Sequence, residues 1–421
     1  MAHSTAKITG FVVKEATKGF MNDRLFSGLV SHKYESEFQE RGAKKGDTIQ
    51  VRRTAQFRVR TGAGMEIQDI HEDVKTVKLG EQKGVDFQFS DKELTLDIDN
   101  GGTEYSQRFI RPAGSALASD FDAKGMKVAA LEAGHAVVLE ANATAEAKYQ
   151  GFLKAKSLLN KSLAPKTIGA RNSVIGSDVE NDLSFYVKNL YNNERAITKA
   201  IKEGTIQDVA GLTWAASDLA YVHVNGAGGA TVTIASVTPD YDNMTQWVAY
   251  TISSGTLNVG DTIQFTGVYA INAETKAQYA NKLQRKILDL KTESNTKYML
   301  VYSLRPVLAE NAVNSAETRK KFAMANCTAI GSNATANVLG VAGTSYLCCP
   351  VFHKDAIVQT CVDLVKPSKV ERCDSVNYKD IVIRYVRDYS ISNDVMADRL
   401  DILGEFTTMI PEWLVSVEIP L

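Results

Sequence analysis

The stretch Phe109 to Gly134, FIRPAGSALASDFDAKGMKVAALEAG, constrains the fold more than any other part of the chain. Pro112 stands where a helix begins without losing a backbone hydrogen bond and Gly134 where one ends, so about 22 residues, roughly 33 Å of helix, fit between them. Ala113, Leu117, Phe121, Val128 and Leu131 fall on one stripe, while Ser115, Asp122, Lys124, Lys127 and Glu132 lie mostly off it. His135, just beyond, reads as a polar residue favoured by the negative end of the helix dipole.

The residues before this spine follow a different period. Ile49, Val51, Ala55, Phe57 and Val59 alternate with polar residues, broken only at Arg53, which is strand periodicity. Thr61 to Gly64 makes a flexible tip, and alternation resumes on the return through Val74 to Leu79, Val85, Phe87 and Phe89. An extended hairpin is expected. Its outgoing arm carries Arg52, Arg53, Arg58 and Arg60, and its tip and return carry Glu66, Asp69, Glu72 and Asp73. Cross-strand salt bridges, each contributing about 0.2–1 kcal/mol, are one reading of these eight residues. Docking on a neighbouring subunit, where complementary charge sets register, is the second and the preferred one. Nucleic-acid binding is the third, weakened by the interleaved acids.

Past the spine, helix and strand alternate. Glu146 to Leu163 has helical spacing ended by Pro165, Val174 to Gly176 reads as a buried strand, and Asp178 as the N-cap of a helix carrying Val179, Leu183 and Val187. AITKAIKEGTI adds a helical turn or two. From Val222 to about Leu308 the text shifts to short β-branched runs separated by Gly, Asn and Asp, the spacing of a small barrel or sandwich. The NGAGGA at 225–230 opens a strand, without the downstream acid of a dinucleotide site. Thereafter Ala316 to Ala325 reads as a helix, SNATANVLGVAGTS as a loop, and Leu347 to Val358, Ile381 to Val386 and Trp413 to Ile419 as strands. An all-β module inserted in an α/β body is the order this implies.

Composition narrows the function. The 421 residues are 44% hydrophobic and 23% charged, and 48 Lys plus Arg nearly balance 49 Asp plus Glu, so no global charge draws the protein to nucleic acid. No run approaches the roughly 20 apolar residues of a membrane span, and MAHSTAKITG has no signal-peptide pattern. The five cysteines (327, 348, 349, 361 and 373) are odd in number and lack a CxxC, so they read as buried thiols; a zinc site with His353 fits no common ligand spacing. Asp97-Ile-Asp99-Asn-Gly-Gly begins like a calcium loop but has Gly101 and Arg108 where the fifth and twelfth ligands belong, so a turn is expected. No GxSxG, HExxH or Walker motif occurs, and the six histidines are scattered. No catalytic residue, metal ligand or cofactor site is assigned.

In their order these stretches resemble the major capsid (coat) proteins of tailed bacteriophages with the HK-type capsid fold, in the subgroup from short-tailed phages with an inserted β-barrel domain. GDTIQVRRTAQF leading into VKLGEQKGVDFQFSDKELTLDI is similar to the family's extended loop. FIRPAGSALASDFDAKGMKVAA resembles its spine helix, EGTIQDVAGLTWAASD and GDTIQFTGVYAINAETK the entry to the insertion and a strand pair within it, and MADRLDILGEFTTMIPEWLVSVEI its closing segment. The resemblance implies an α+β capsid fold with an N-terminal arm (1–45), an extended loop (46–89), a peripheral domain with the spine helix (90–140), an inserted small β-barrel (222–310) and an axial domain (141–221 and 311–421). The last strand returns to the peripheral domain. It also implies a structural, non-enzymatic subunit forming pentamers and hexamers of an icosahedral shell around double-stranded DNA, located in the virion and assembled in the bacterial host cytoplasm. Implied partners are the protein itself, a separate scaffolding protein, a portal protein and packaged DNA through weak non-specific contact, with no membrane; whether a decoration protein also binds is left open by the sequence. The less apolar spine face, with Asp122 and Met126, is then expected to look at the next subunit. An encapsulin-type cellular compartment shell and a β-rich surface-binding protein are the alternatives.

Overall fold

The computed structural model describes residues 14–32, 48–90, 106–190, 209–226, 231–307 and 326–421, apart from positions 22, 54, 56, 58, 66, 68, 69, 71, 168, 238, 242, 332, 379, 380 and 392–394. The calcium-like turn at 97–108 lies largely outside the described residues, and the expected helices at 196–206 and 316–325 almost or wholly so. The chain forms two units, one from residues 1–49, 77–125 and 357–407 and the other from 50–76, 126–356 and 408–421.

In the first unit, Arg372–Tyr378, Ile381–Ser390 and Val395–Thr408 form an antiparallel meander, and Gln82–Ser90 pairs with Val395–Leu403 on its far side. Ile357–Cys361 completes the five-stranded sheet. The spine helix spans Arg111–Leu131 after a wide π turn at Ser106–Ile110. Of its apolar stripe, Ala113, Leu117 and Phe121 are buried in this unit, with the Phe121 ring 4.7 Å from Phe406 and 6.3 Å from Phe20.

The polar face of the spine departs from expectation. Asp122 is 1% exposed, and its carboxylate accepts the backbone N–H groups of Phe26 at 2.9 Å and Ser27 at 3.0 Å, with Leu25 also donating. These are the orphan donors at the start of the short helix Phe26–Leu29, so Asp122 serves as a cap supplied from a distant part of the chain. Met126 is likewise buried. Asp122 does not face outward toward another subunit, because residues 25–27 of the same chain take the place assigned to a neighbour. Burial nonetheless raises the Asp122 pKa, outweighing the N–H groups that lower it.

A close approach explains how that region fits. Residues 14–21 form a helix, and a Cβ added at Gly114 would lie 2.2 Å from the Ala16 carbonyl oxygen, one at Gly19 2.5 Å from that of Arg111. Only glycine lets the two backbones meet, and Glu15 with Arg111 (2.6 and 2.8 Å) flanks the crossing.

The second unit holds two sheets. One has the order His135–Val138, Leu414–Pro420, Ser345–His353, Arg171–Ile175 and Thr213–Ala216, with Val222–Val224 paired to the start of Ser345–His353. Helices Ala145–Lys161 and Ser177–Leu190 pack on it through Phe152, Leu159, Val179 and Leu183, against Trp214, Val351 and Val417. Leu414–Pro420 is buried on both faces from Leu414 to Ile419, as suits a strand with neighbours on each side. Asp178 stands in the first turn of its helix rather than at the cap, since Ser177 already begins it.

The other sheet is the insert, seven strands in the order Gln278–Lys286, Thr262–Ile271, Thr335–Val338, Thr231–Ser236, Thr245–Ile252, Thr296–Tyr302 and Asp289–Glu293. Its outer strands are consecutive in the chain, separated only by Ile287 and Leu288. Ile287 N–H donates to Asp261 on one side and Leu288 N–H to Leu300 on the other, so the sheet must curl around its core of Val232, Val248, Phe265, Leu283 and Met299. Thr335–Val338, expected as loop, is an inner strand here; its alternating Ala336 and Val338 fill this core.

Replacing Gly114 with Leu should release residues 14–21 while preserving the spine helix. Limited proteolysis is the check: early cleavage N-terminal to Phe26 is expected, and an unchanged digestion pattern would contradict the close-packing account.

Candidate assembly site

The hairpin begins as strands Thr48–Arg52 and Val74–Lys78, which pair with each other. Between them the expected long strands do not form. Among the described residues the backbone from Arg53 to Asp73 lies in no strand, although Arg53 N–H still donates to the Asp73 carbonyl at 2.8 Å. The physical reason is exposure: Phe57 is 53%, Val59 83%, Met65 81% and Ile70 70% exposed, so neither face of this ribbon has a core to pair over.

The eight charged residues separate into groups. Arg52 meets Glu72 at 3.3 Å on the surface, and Arg60 turns to the Gly62 carbonyl. Arg58, Glu66 and Asp69 fall outside the described residues. Arg53 and Asp73, the two exit residues of the loop, are held within the chain. Asp73 accepts a two-pronged fork from Arg305 (2.8 and 3.0 Å), and Arg53 reaches Glu412 at 3.1 Å and Asp73 at 3.7 Å.

Around this clamp the charges balance. Arg53, Arg285 and Arg305 face Asp73, Glu132 and Glu412. Burial works to raise the Glu412 pKa, but Arg53 foremost, then Arg285 and Arg305, hold its carboxyl below the usual range. Burial pushes the Tyr302 phenol well above its ordinary value, with Glu132 and Glu412 adding to the effect. His135 belongs to the same neighbourhood and corrects the helix-dipole reading. The helix ends at Leu131, His135 opens a strand, and burial with Arg285 nearby lowers its imidazole to about 4, so it carries no charge at neutral pH.

Two further polar contacts tie the insert to the six-stranded sheet. Lys286 and Glu418, each 1% exposed, meet at 2.5 Å. Asp261 accepts from the His223 ring at 2.9 Å and from the N–H groups of Gly226 and Asn258. Sequence reasoning missed Arg305, Lys286 and Asp261, because their side-chain partners Asp73, Glu418 and His223 lie 232, 132 and 38 positions away.

Other sites do not compete. Cys327, Cys348, Cys349 and Cys361 are buried, and burial pushes the first three thiols up to about 12, about 11 and about 12. Among the described residues no group of three His, Cys, Asp or Glu side chains could hold a metal, and no helix is long and apolar enough to cross a membrane.

The chain thus combines mixed helix and sheet, a long spine helix and a loop whose exits are held by ion pairs while Phe57, Val59, Met65 and Ile70 are exposed. The chain belongs to the P22 coat protein family: the model described as "P22 coat protein - gene protein 5" matches residues 1–418. It is therefore a phage major capsid protein, a structural component of the virion that self-assembles into a capsid. No curated protein sequence matches it. Among solved structures it is similar to the capsid of the cyanophage P-SCSP1u (11% identity, TM-score 0.46, 94% of this chain and 88% of that one). It is also similar to the capsid of Ralstonia phage GP4 (7%, 0.45, 94% and 88%) and to a virus-like particle from Pyrococcus furiosus (8%, 0.40, 96% and 97%).

Glu418→Gln should destabilise the subunit by about 3–5 kcal/mol, because it takes the directly bonded counter-charge from buried Lys286, whereas Lys286→Met with Glu418→Leu should recover most of that loss. Urea unfolding of the three proteins decides the matter; equal midpoints for wild type and Glu418→Gln would contradict it.

Proposed function

We propose that the subunit builds pentamers and hexamers of an icosahedral shell around double-stranded DNA, and that its loop docks on the neighbouring subunit in each ring. The observation that carries this reading is the exposure of Phe57, Val59, Met65 and Ile70 on a loop whose exits are fixed. Covering four such side chains is worth roughly 6–12 kcal/mol at about 1.5–3 kcal/mol each, before the cost of ordering the loop. Arg52, Arg58, Arg60, Glu66, Asp69 and Glu72 set register on the partner, while Arg53 and Asp73 contribute through the loop's base.

The near balance of 48 basic and 49 acidic residues supports a wall that holds DNA loosely, since contact with many phosphates would hinder packaging and release. We assign the arm, loop, peripheral, axial and inserted domains to the boundaries given above, with the insert's sheet drawing one more strand from Thr335–Val338. A separate scaffolding protein directs assembly, and a portal protein occupies one vertex. The protein works without catalysis.

Two loop variants test the docking role. Phe57→Ser with Met65→Ser removes apolar contact, and Arg58→Glu with Arg60→Glu reverses charge. Both should melt within a degree or two of wild type, because surface changes away from packed contacts seldom exceed about 0.5 kcal/mol. Both should fail to form closed shells by electron microscopy, and normal shells from either would refute loop docking.

A further inference from the structure

The loop is anchored at Arg53 and Asp73, and one of the two anchors is reached from the insert. Arg305, just past the insert strand Thr296–Tyr302, is 7% exposed. Its own position is set by the insert side of the cluster, where its backbone N–H donates to Asn326 Oδ1 at 3.2 Å and its guanidinium to the Asn243 carbonyl at 3.0 Å. Its Nη1 and Nη2 groups donate to the two carboxylate oxygens of Asp73 at 3.0 and 2.8 Å. A planar fork on a carboxylate fixes direction as well as distance, which a single ammonium cannot do.

We propose that Arg305 is a positioning residue for assembly: its fork on Asp73 fixes the direction in which the loop leaves the body, so the insert governs the angle at which one subunit meets the next. The inference rests on the loop-docking reading above and adds the insert as its regulator. Leverage gives the effect its size. A loop arm of about ten residues reaches roughly 30 Å when extended, so a tilt of about 10° at its base moves the tip by about 5 Å. That is a full strand spacing at the docking surface, from a change too small to unfold the subunit.

Arg305→Lys in the full-length chain keeps the charge and removes the fork; Asp73→Asn, nearly isosteric, is the second variant should the first not fold. Leu183→Ala is the control, because it removes a buried apolar side chain of the same unit without touching the loop base or the buried polar contacts. Shell diameters by electron microscopy are read beside melting temperatures. The fork variants should assemble into shells of widened diameter distribution or into open sheets, while the control gives uniform shells even where it melts lower. Uniform shells of wild-type diameter from a folded fork variant would overturn the proposal, as would an equal spread in the control. Failure of both fork variants to fold would also overturn it, by making the fork purely structural. If Phe57→Ser with Met65→Ser assembles normally, the docking reading falls first; if that variant is blocked while Arg305→Lys is uniform, docking stands and this inference alone falls.

Discussion

The fork between Arg305 and Asp73 is the contact that fixes the base of the proposed docking loop. Both side chains are nearly buried, so the pair is screened little by solvent and each charge needs the other. Its position in the chain gives it a second role. Asp73 immediately precedes the return strand Val74–Lys78, as Arg53 immediately follows the outgoing strand Thr48–Arg52, so the clamp closes where the loop begins and ends. Among the described residues between them, Phe57, Val59, Met65, Ile67 and Ile70 are exposed. A free monomer gains nothing from that arrangement, whereas a subunit with a neighbour in a fixed direction gains a covered apolar contact.

The body is built to hold that base steady. The curled insert sheet is tied to the six-stranded sheet by a buried ion pair at Lys286 and Glu418, and by Asp261, which gathers the His223 ring and the two N–H groups of Gly226 and Asn258. Such groups add little net stability over an apolar core of the same shape, but they tolerate few alternative placements. In the other unit the same logic appears once more, with Asp122 of the spine helix capping the short helix Phe26–Leu29. Direction, rather than sheer stability, is what these buried polar contacts supply.

Much of the scaffold was legible in the sequence because it rests on local rules. Pro112 and Gly134 bracketed the spine to within a few residues, Phe152 and Leu159 marked a packed helix, and the β-branched runs after Val222 announced the insert. The misses share a cause. Asp122 looked like a surface residue because nothing nearby in sequence reveals the orphan donors of Leu25, Phe26 and Ser27. Thr335–Val338 looked like loop because its flanking Gly, Asn and Ser outweighed two inward side chains. Residues 53–60 alternate like a strand, yet the described ones among them lie in none, since periodicity registers a preference for pairing and the alternation alone supplies no partner. Of the eight candidate site residues, the pattern found the loop but could not separate Arg53 and Asp73 from the rest, because Arg305 lies 232 positions away from Asp73.

Hydrogen–deuterium exchange of residues 54–72, compared between free subunits and assembled shells, tests the central claim most directly. The account predicts rapid exchange through this segment in the free subunit and strong protection once shells close, with protection centred on Phe57, Val59 and Met65. Exchange as fast in shells as in free subunits would contradict it.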